Sequence, residues 1–291
     1  KVHGRENVVA SDIREPDHES PISDGPFTLL SVLDGDSMES TIHDEGIGTI
    51  YHLAAILSAT GEAKPELCHR VNVGGTVCVL EAARDFELKV YAPSSIAVFG
   101  PDAPKIAPQK TPLNPTTMYG KTKVTGEILA MNYWKQYGVD VRGIRYPGLI
   151  SWKAPAGGGT TDYAVDIFRA AIEHGHYECF VREDTRLPMM YMDDAIRATL
   201  MLMDAPSNLL GSSRAGYNID GQSFTAEELA NAIAEKVEGF RCDYSPDVRQ
   251  QYADSWPDSI DGSLAKDEWG WTPEYDLPKI VQAMLNGLSK A

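Results

Sequence analysis

The stretch NPTTMYGKTK, residues 114–123, sets Tyr119 and Lys123 four residues apart just after Pro115. Residues at that spacing share a helix face, so the lysine ammonium can lie beside the phenol. A neighbouring cation favours phenolate and lowers a pKa that is about 10 when unperturbed. Such a pair suits a general base that takes a proton from a substrate hydroxyl. Taken alone, Y-x-x-x-K is more often an ordinary surface pair, so the rest of the chain has to decide.

The elements that must position this pair follow from the pattern of apolar runs. NVVASDI (7–13), TLLSVLD (28–34), GTIYHLAA (48–55), KVYAPSSIAVFG (89–100) and DVRGIRYPGLI (140–150) read as strands. Between them SMESTIHDEG, with Ser37 as its cap, and residues 64–86 and 116–137 read as helices. Strand and helix in alternation predict a parallel sheet covered on both faces, with ligands bound beyond the carboxyl ends of the strands. The rhythm changes after residue 150. GGGTTDYAVDIF (157–168) is a glycine-rich loop opening a helix, LPMMYMDDAIRAT (187–199) a strand leading into another, and further helices follow Thr225.

The expected organisation is therefore a sheet-and-helix region over 1–150 and a smaller lobe over 151–291, with about 187–220 partly returning to the sheet. Asp193 and Asp194 read as caps of their helix, and Trp269 and Trp271 as core of the smaller lobe.

Composition narrows the partners. The chain has 291 residues, with 26 Lys and Arg against 42 Asp and Glu, a net charge of −16. That field repels phosphate backbones and anionic lipid, so neither nucleic acid nor a membrane surface is expected. No apolar run approaches the roughly 20 residues that span a bilayer. Cys68, Cys78, Cys179 and Cys242 form no C-x-x-C, which predicts a reducing compartment and no zinc site. His174 and His176 read as a solvated helix end rather than a metal pair.

A dinucleotide-binding sheet normally opens with a strand and a glycine-rich turn that holds the pyrophosphate. No such turn precedes VVASDI, although Asp12 stands where an acid that bonds the adenosine ribose should end the second strand. The chain is expected to start after its own first strand and turn, a unit of roughly 30 residues. An acid at Asp12 accepts from two ribose hydroxyls and repels a 2′-phosphate, which favours NAD over NADP, with Arg14 nearby as a countercharge.

Read together, SSIAVFG, YGKTK and RYPGLI resemble the extended short-chain dehydrogenase/reductases, nicotinamide-dependent enzymes that include the nucleotide-sugar epimerases. Within that group, HLAAILSATGE (52–62), GGGTTDYA (157–164), LPMMYMDDAIRAT (187–199) and EWGWTPEYDL (268–277) are similar to the L-threonine 3-dehydrogenases of the short-chain type. The resemblance implies a Rossmann-type doubly wound parallel sheet, NAD as cofactor and L-threonine as substrate, oxidised to 2-amino-3-oxobutyrate. It also implies that the region over 1–150 is dinucleotide-binding and the lobe over 151–291 mainly substrate-binding. It implies Tyr119 as general base, with Lys123 lowering its pKa and holding the nicotinamide ribose. The serine that orients the substrate hydroxyl falls on Ser94 or Ser95; counting back from Gly100 favours Ser95, and the 25-residue separation from Tyr119 keeps Ser94 eligible.

The resemblance further implies that Asp12 and Ile13 contact the adenosine, with Ser31 and Val32 standing where relatives carry an acid and a bulky aliphatic. Leu53, Ala54 and Ala55 would line the pyrophosphate cleft, Asn72 would be a structural asparagine, and Tyr146 would pack near the nicotinamide. Ser58 would reach the substrate from the opposite wall.

The substrate carboxylate is expected at the helix start of Thr160 and Thr161, where free N–H groups favour an anion. Thr161 or Asp162 capping its own helix fits the same residues. Two other functions remain open: a nucleotide-sugar epimerase or dehydratase, and a non-catalytic NAD(H)-binding regulator. The epimerases generally read RYFN where this chain has RYPG (145–148). Family members usually pair through the helices here at 64–86 and 116–137, which predicts a homodimer. Their location is cytosolic in bacteria and mitochondrial in eukaryotes.

Overall fold

A computed structural model describes residues 2–17, 20, 22–153 and 155–290. The elements up to the end of the expected first region are β1 (Ala10–Asp12), β2 (Phe27–Leu29), α1 (Gly35–Glu45), β3 (Thr49–Tyr51), α2 (Ser58–Ala63), α3 (Pro65–His69) and α4 (Gly75–Asp85), then β4 (Lys89–Tyr91), β5 (Ser94–Ser95), β6 (Ile106–Ala107), α5 (Met118–Tyr137), β7 (Val141–Arg142), β8 (Ile144–Tyr146) and β9 (Gly148–Ile150). There follow α6 (Tyr163–His174), β10 (His176–Cys179), β11 (Arg186–Tyr191), α7 (Met192–Asp204), β12 (Tyr217–Asn218), β13 (Gln222–Thr225), α8 (Ala226–Ala234), β14 (Arg241–Tyr244), α9 (Arg249–Ala253), β15 (Ser259–Ile260), α10 (Ser263–Trp269) and α11 (Leu277–Leu288).

The sheets are mainly parallel, and the fold is a Rossmann-type α/β arrangement. β3, β4 and β7 pair in one ladder and β5, β8 and β12 in the next, every neighbour parallel. β4 runs into β5, and β7 into β8, so the two ladders are successive stretches of one sheet path. β1 and β2 pair with each other, Asp12 opposite Leu29. β9 joins β11 in parallel and β13 closes that sheet antiparallel.

The strands are shorter than the apolar runs predict. β3 ends at Tyr51 rather than continuing to 55, and Leu53 and Ala54 beyond it are exposed. The predicted helix over 64–86 starts with Pro65 in its first turn but is interrupted by a wider π turn at Arg70–Gly74. Such bulges occur often at functional sites.

Two cap assignments are corrected. Asp34, not Ser37, caps α1, accepting the Ser37 N–H at 3.1 Å. Asp193 and Asp194 do not cap α7; Asp194 instead accepts the Glu274 and Tyr275 N–H groups and pairs with Arg197 at 2.8 Å.

Apolar faces meet in separate clusters. Met38, Val79, Leu80, Val90 and Val141 bury α1 and α4 against one side of the sheet. Tyr91, Ile144, Leu202 and Tyr217 fill the other side. Trp269 and Trp271 belong to this second cluster and not to the core of the C-terminal elements, which is built from residues such as Phe168, Leu187, Phe224 and Ile280. Among the described residues no helix is long and apolar enough to cross a membrane.

Candidate active site

Tyr119 opens α5, whose first turn is fixed from two directions. The Thr117 hydroxyl accepts the Gly120 N–H at 3.1 Å, and the Glu62 carboxylate accepts the Met118 N–H. Gly120 is required by close approach: a Cβ there would collide with the Ala97 carbonyl and Pro115. The missing side chain lets the start of α5 press onto the turn that follows β5. Tyr119 is thereby brought near Ser95, whose hydroxyl favours the ionised phenol.

The two serines point opposite ways, as successive strand residues do. Ser95 Oγ accepts the Ala97 N–H at 3.2 Å and faces Tyr119. Ser94 is buried and donates to Glu127 Oε1 at 2.6 Å. The structure thus brings Ser95, not Ser94, to the phenol.

Lys123 lies one turn beyond Tyr119, its Nζ 5.6 Å from the centre of the tyrosine ring and donating to the Pro93 carbonyl at 2.8 Å. The electrostatic expectation for the pair is corrected. Burial pushes the Tyr119 phenol up to about 12, against the Ser95 hydroxyl that pulls it down. Burial also lowers Lys123 to about 8, opposed by Cys68 and Glu127. Desolvation penalises either charged form, and at this site it outweighs the attraction expected between ammonium and phenolate.

Asn72 occupies the π turn and clamps the segment after β3. It accepts the Ile56 N–H at 2.7 Å and donates to the Ile56 carbonyl at 3.0 Å. A further bond to Thr122 Oγ1, at 3.0 Å, ties the same asparagine to α5 between Tyr119 and Lys123. Its place is structural, holding Leu53, Ala54 and Ala55 along the crevice. Ser58 begins α2 and is buried, and its hydroxyl has no hydrogen bond among the described residues. That helix packs on Tyr119, since a Cβ at Gly61 would lie 3.7 Å from Tyr119 Cβ. The glycine loop meets the same wall, where a Cβ on Gly157 would lie 3.4 Å from Leu57 Cδ1.

At the start of α6 neither Thr161 nor Asp162 caps its own helix by a side-chain bond. Asp162 Oδ2 turns back and accepts the Gly158 and Gly159 N–H groups, each at 2.6 Å. Thr160 is buried, and the N–H groups of Thr160 and Thr161 have no hydrogen bond among the described residues. Thr161 packs its methyl toward Gly148.

Away from Tyr119, Asp12 and Ile13 are exposed at the end of β1, and Asp12 Oδ1 accepts the Arg14 N–H at 3.0 Å. Ser31 Oγ accepts the Leu33 N–H, and Val32 packs where α4 begins at Gly75. Tyr146, opposite Ser95 in the ladder, turns its hydroxyl into the sheet to Tyr91, at 2.6 Å, and to Thr199.

Sequence reading missed His52, Cys68, Thr122 and Glu127, all close to this site. His52, buried and near Lys123, is lowered to about 4 by burial and then by that lysine. Only the carboxylate at i+4 from Lys123 carried a sequence signal.

The donor set fits a nicotinamide dinucleotide at its two ends. The Asp12 carboxylate is exposed at the end of β1 and can accept from hydroxyls, Ala54 is small and exposed beyond β3, and Tyr119 and Lys123 stand together in the first turns of α5.

The family model described as NAD dependent epimerase/dehydratase matches residues 2–219. An uncharacterized epimerase/dehydratase of Staphylococcus aureus is 47% identical over 292 residues, covering 100% of this chain and 91% of that protein. The holo form of an L-threonine dehydrogenase from Cupriavidus necator superposes with a TM-score of 0.95 at 48% identity, covering 99% of this chain and 92% of the other. An L-threonine dehydrogenase from Clostridium difficile gives 0.96 at 43% identity, covering 99% and 90%. The chain belongs to the NAD-dependent epimerase/dehydratase family, and its cofactor is NAD.

Proposed function

We propose that this chain oxidises L-threonine to 2-amino-3-oxobutyrate, a step of threonine breakdown. The observation that carries this reading is at Gly148. Sugar-nucleotide relatives generally place an asparagine there, as RYFN. In this chain a Cβ on Gly148 would collide with Met189 Sδ and would lie 2.7 Å from Thr161 Cγ2. Thr161 and Met189 fill the space such an asparagine needs, which suits a smaller substrate.

Threonine oxidation removes the hydroxyl proton and a hydride from the same carbon. NAD, when bound, supplies the hydride acceptor. Ser95 orients the hydroxyl, and Tyr119, once deprotonated, takes its proton. Lys123 holds the nicotinamide ribose. Asp12 and Ile13 face the adenosine, with Ser31 and Val32 beside them. The unbonded N–H groups of Thr160 and Thr161 receive the substrate carboxylate, since Asp162 already occupies those of Gly158 and Gly159. Ser58 contacts the substrate from the facing wall. The elements after residue 150 form the substrate side of the crevice, and the molecule pairs as a homodimer through α4 and α5, where Ile128 is 55% exposed.

The test is NAD reduction by the purified protein with L-threonine, beside UDP-sugars assayed for interconversion. Reduction with threonine supports the reading. Sugar interconversion without threonine oxidation overturns it.

A further inference from the structure

Beside Lys123 lies a cavity of about 30 Å³, room for roughly one water, bounded by Lys123, Glu127, Ser94, His52, Thr76 and Pro93. Glu127 stands one turn beyond Lys123, so Tyr119, Lys123 and Glu127 share a face of α5. Its carboxylate is fully engaged on the other side. Oε1 accepts from Ser94 Oγ at 2.6 Å and from Arg145 Nε at 2.9 Å, and Oε2 accepts from Arg145 Nη2 at 2.7 Å. Ser94 and Arg145 are register partners on β5 and β8. Arg145 also donates to the Gln109 carbonyl and to Asn218 Oδ1, which fixes its guanidinium. One buried carboxylate therefore ties the strand end carrying Ser95 to the helix carrying Tyr119.

The groups facing Lys123 are His52 from the segment after β3, Cys68 from α3, and Tyr119 and Glu127 from α5. The His52 imidazole is held neutral by burial, and burial likewise raises the Cys68 thiol and the Tyr119 phenol. Among these described groups Glu127 is the one carboxylate. We propose that Glu127 is a positioning residue for the Tyr119–Lys123 pair: its carboxylate, fixed by Arg145 and Ser94, holds Lys123 in the ammonium form across a cavity that admits one water. The Arg145 guanidinium, bonded to both carboxylate oxygens, offsets part of that charge.

The inference rests on reading Tyr119 and Lys123 as the reacting pair, yet its test reads Lys123 whatever the substrate. Protein labelled with 15N-lysine is titrated by NMR, with the Lys123 Nζ signal assigned by its loss in Lys123→Met. Glu127→Gln is expected to lower the Lys123 midpoint by about one pH unit or more. Glu127→Asp, which keeps the charge, is expected to hold it close to that of the unaltered protein. Because Glu127→Gln leaves Arg145 buried without its partner, Glu127→Gln with Arg145→Gln is titrated in parallel, and circular dichroism checks that each variant is folded. An unchanged midpoint in the folded glutamine variants, or equal shifts for Asp and Gln, overturns the proposal. A shifted midpoint in a protein that ignores threonine leaves Glu127 in this role and removes only the substrate assignment.

Discussion

The Ser95 hydroxyl lies near the Tyr119 phenol, while Ser94, one residue earlier, donates to Glu127 at 2.6 Å on the opposite face of the strand. The two serines should therefore fail differently. Ser95→Ala is expected to lower turnover about 10²-fold, the scale of a lost proton-transfer partner, with little change in melting temperature. Ser94→Ala leaves a buried carboxylate short of one donor and should cost about 1–3 kcal/mol of stability, read from denaturant unfolding. The opposite pattern would exchange their roles.

Tyr119→Phe removes the oxygen that takes the proton and should lower turnover by roughly 10²-fold or more, with NAD binding retained. In the unaltered protein the phenol near 12 is mostly protonated at neutral pH, so its deprotonated fraction grows as pH rises. The rate is expected to climb from pH 6 and to level or fall once Lys123, near 8, loses its charge. A profile of kcat/KM against pH checks this, and a flat one would exclude Tyr119 as the titrating base.

If Thr160 and Thr161 receive the substrate carboxylate, the amino alcohol corresponding to threonine should be a very poor substrate. Loss of a charge-assisted hydrogen bond costs about 1.5–3 kcal/mol, roughly ten- to a hundredfold. Thr161→Val should then impair L-threonine more than the amino alcohol. Equal impairment would restrict Thr161 to packing against Gly148.

His52 is buried with its pKa lowered from 6.5 to about 4, so the unfolded chain binds its proton more readily than the folded one. Its contribution is fully present above about pH 6.5 and is lost as pH falls through about 4, with a limit on the order of 3 kcal/mol. Urea unfolding followed between pH 7 and 4 should show stability falling in this window, and His52→Gln should flatten that slope. An unaltered slope in the variant would assign the acid sensitivity to other groups.

The sequence by itself determined the parallel α/β order, because apolar runs alternating with helical periods leave few other ways to bury both. It also determined Tyr119 and Lys123 as a pair, since i and i+4 share a face in any helix. Which serine faces the phenol was open, because a strand of two residues carries no pattern of its own. The close approach permitted by Gly120 decided it. The sign of the Tyr119 shift is not legible in the sequence for a related reason: spacing reports that a cation is near, whereas desolvation depends on everything else packed around the pair. The cap expected at Ser37 went to Asp34, and Asp194 left its own helix to bind the Glu274 and Tyr275 N–H groups, 80 and 81 residues away. Glu127 lay hidden because its partners, Ser94 and Arg145, come from two other strands and meet only when the sheet closes.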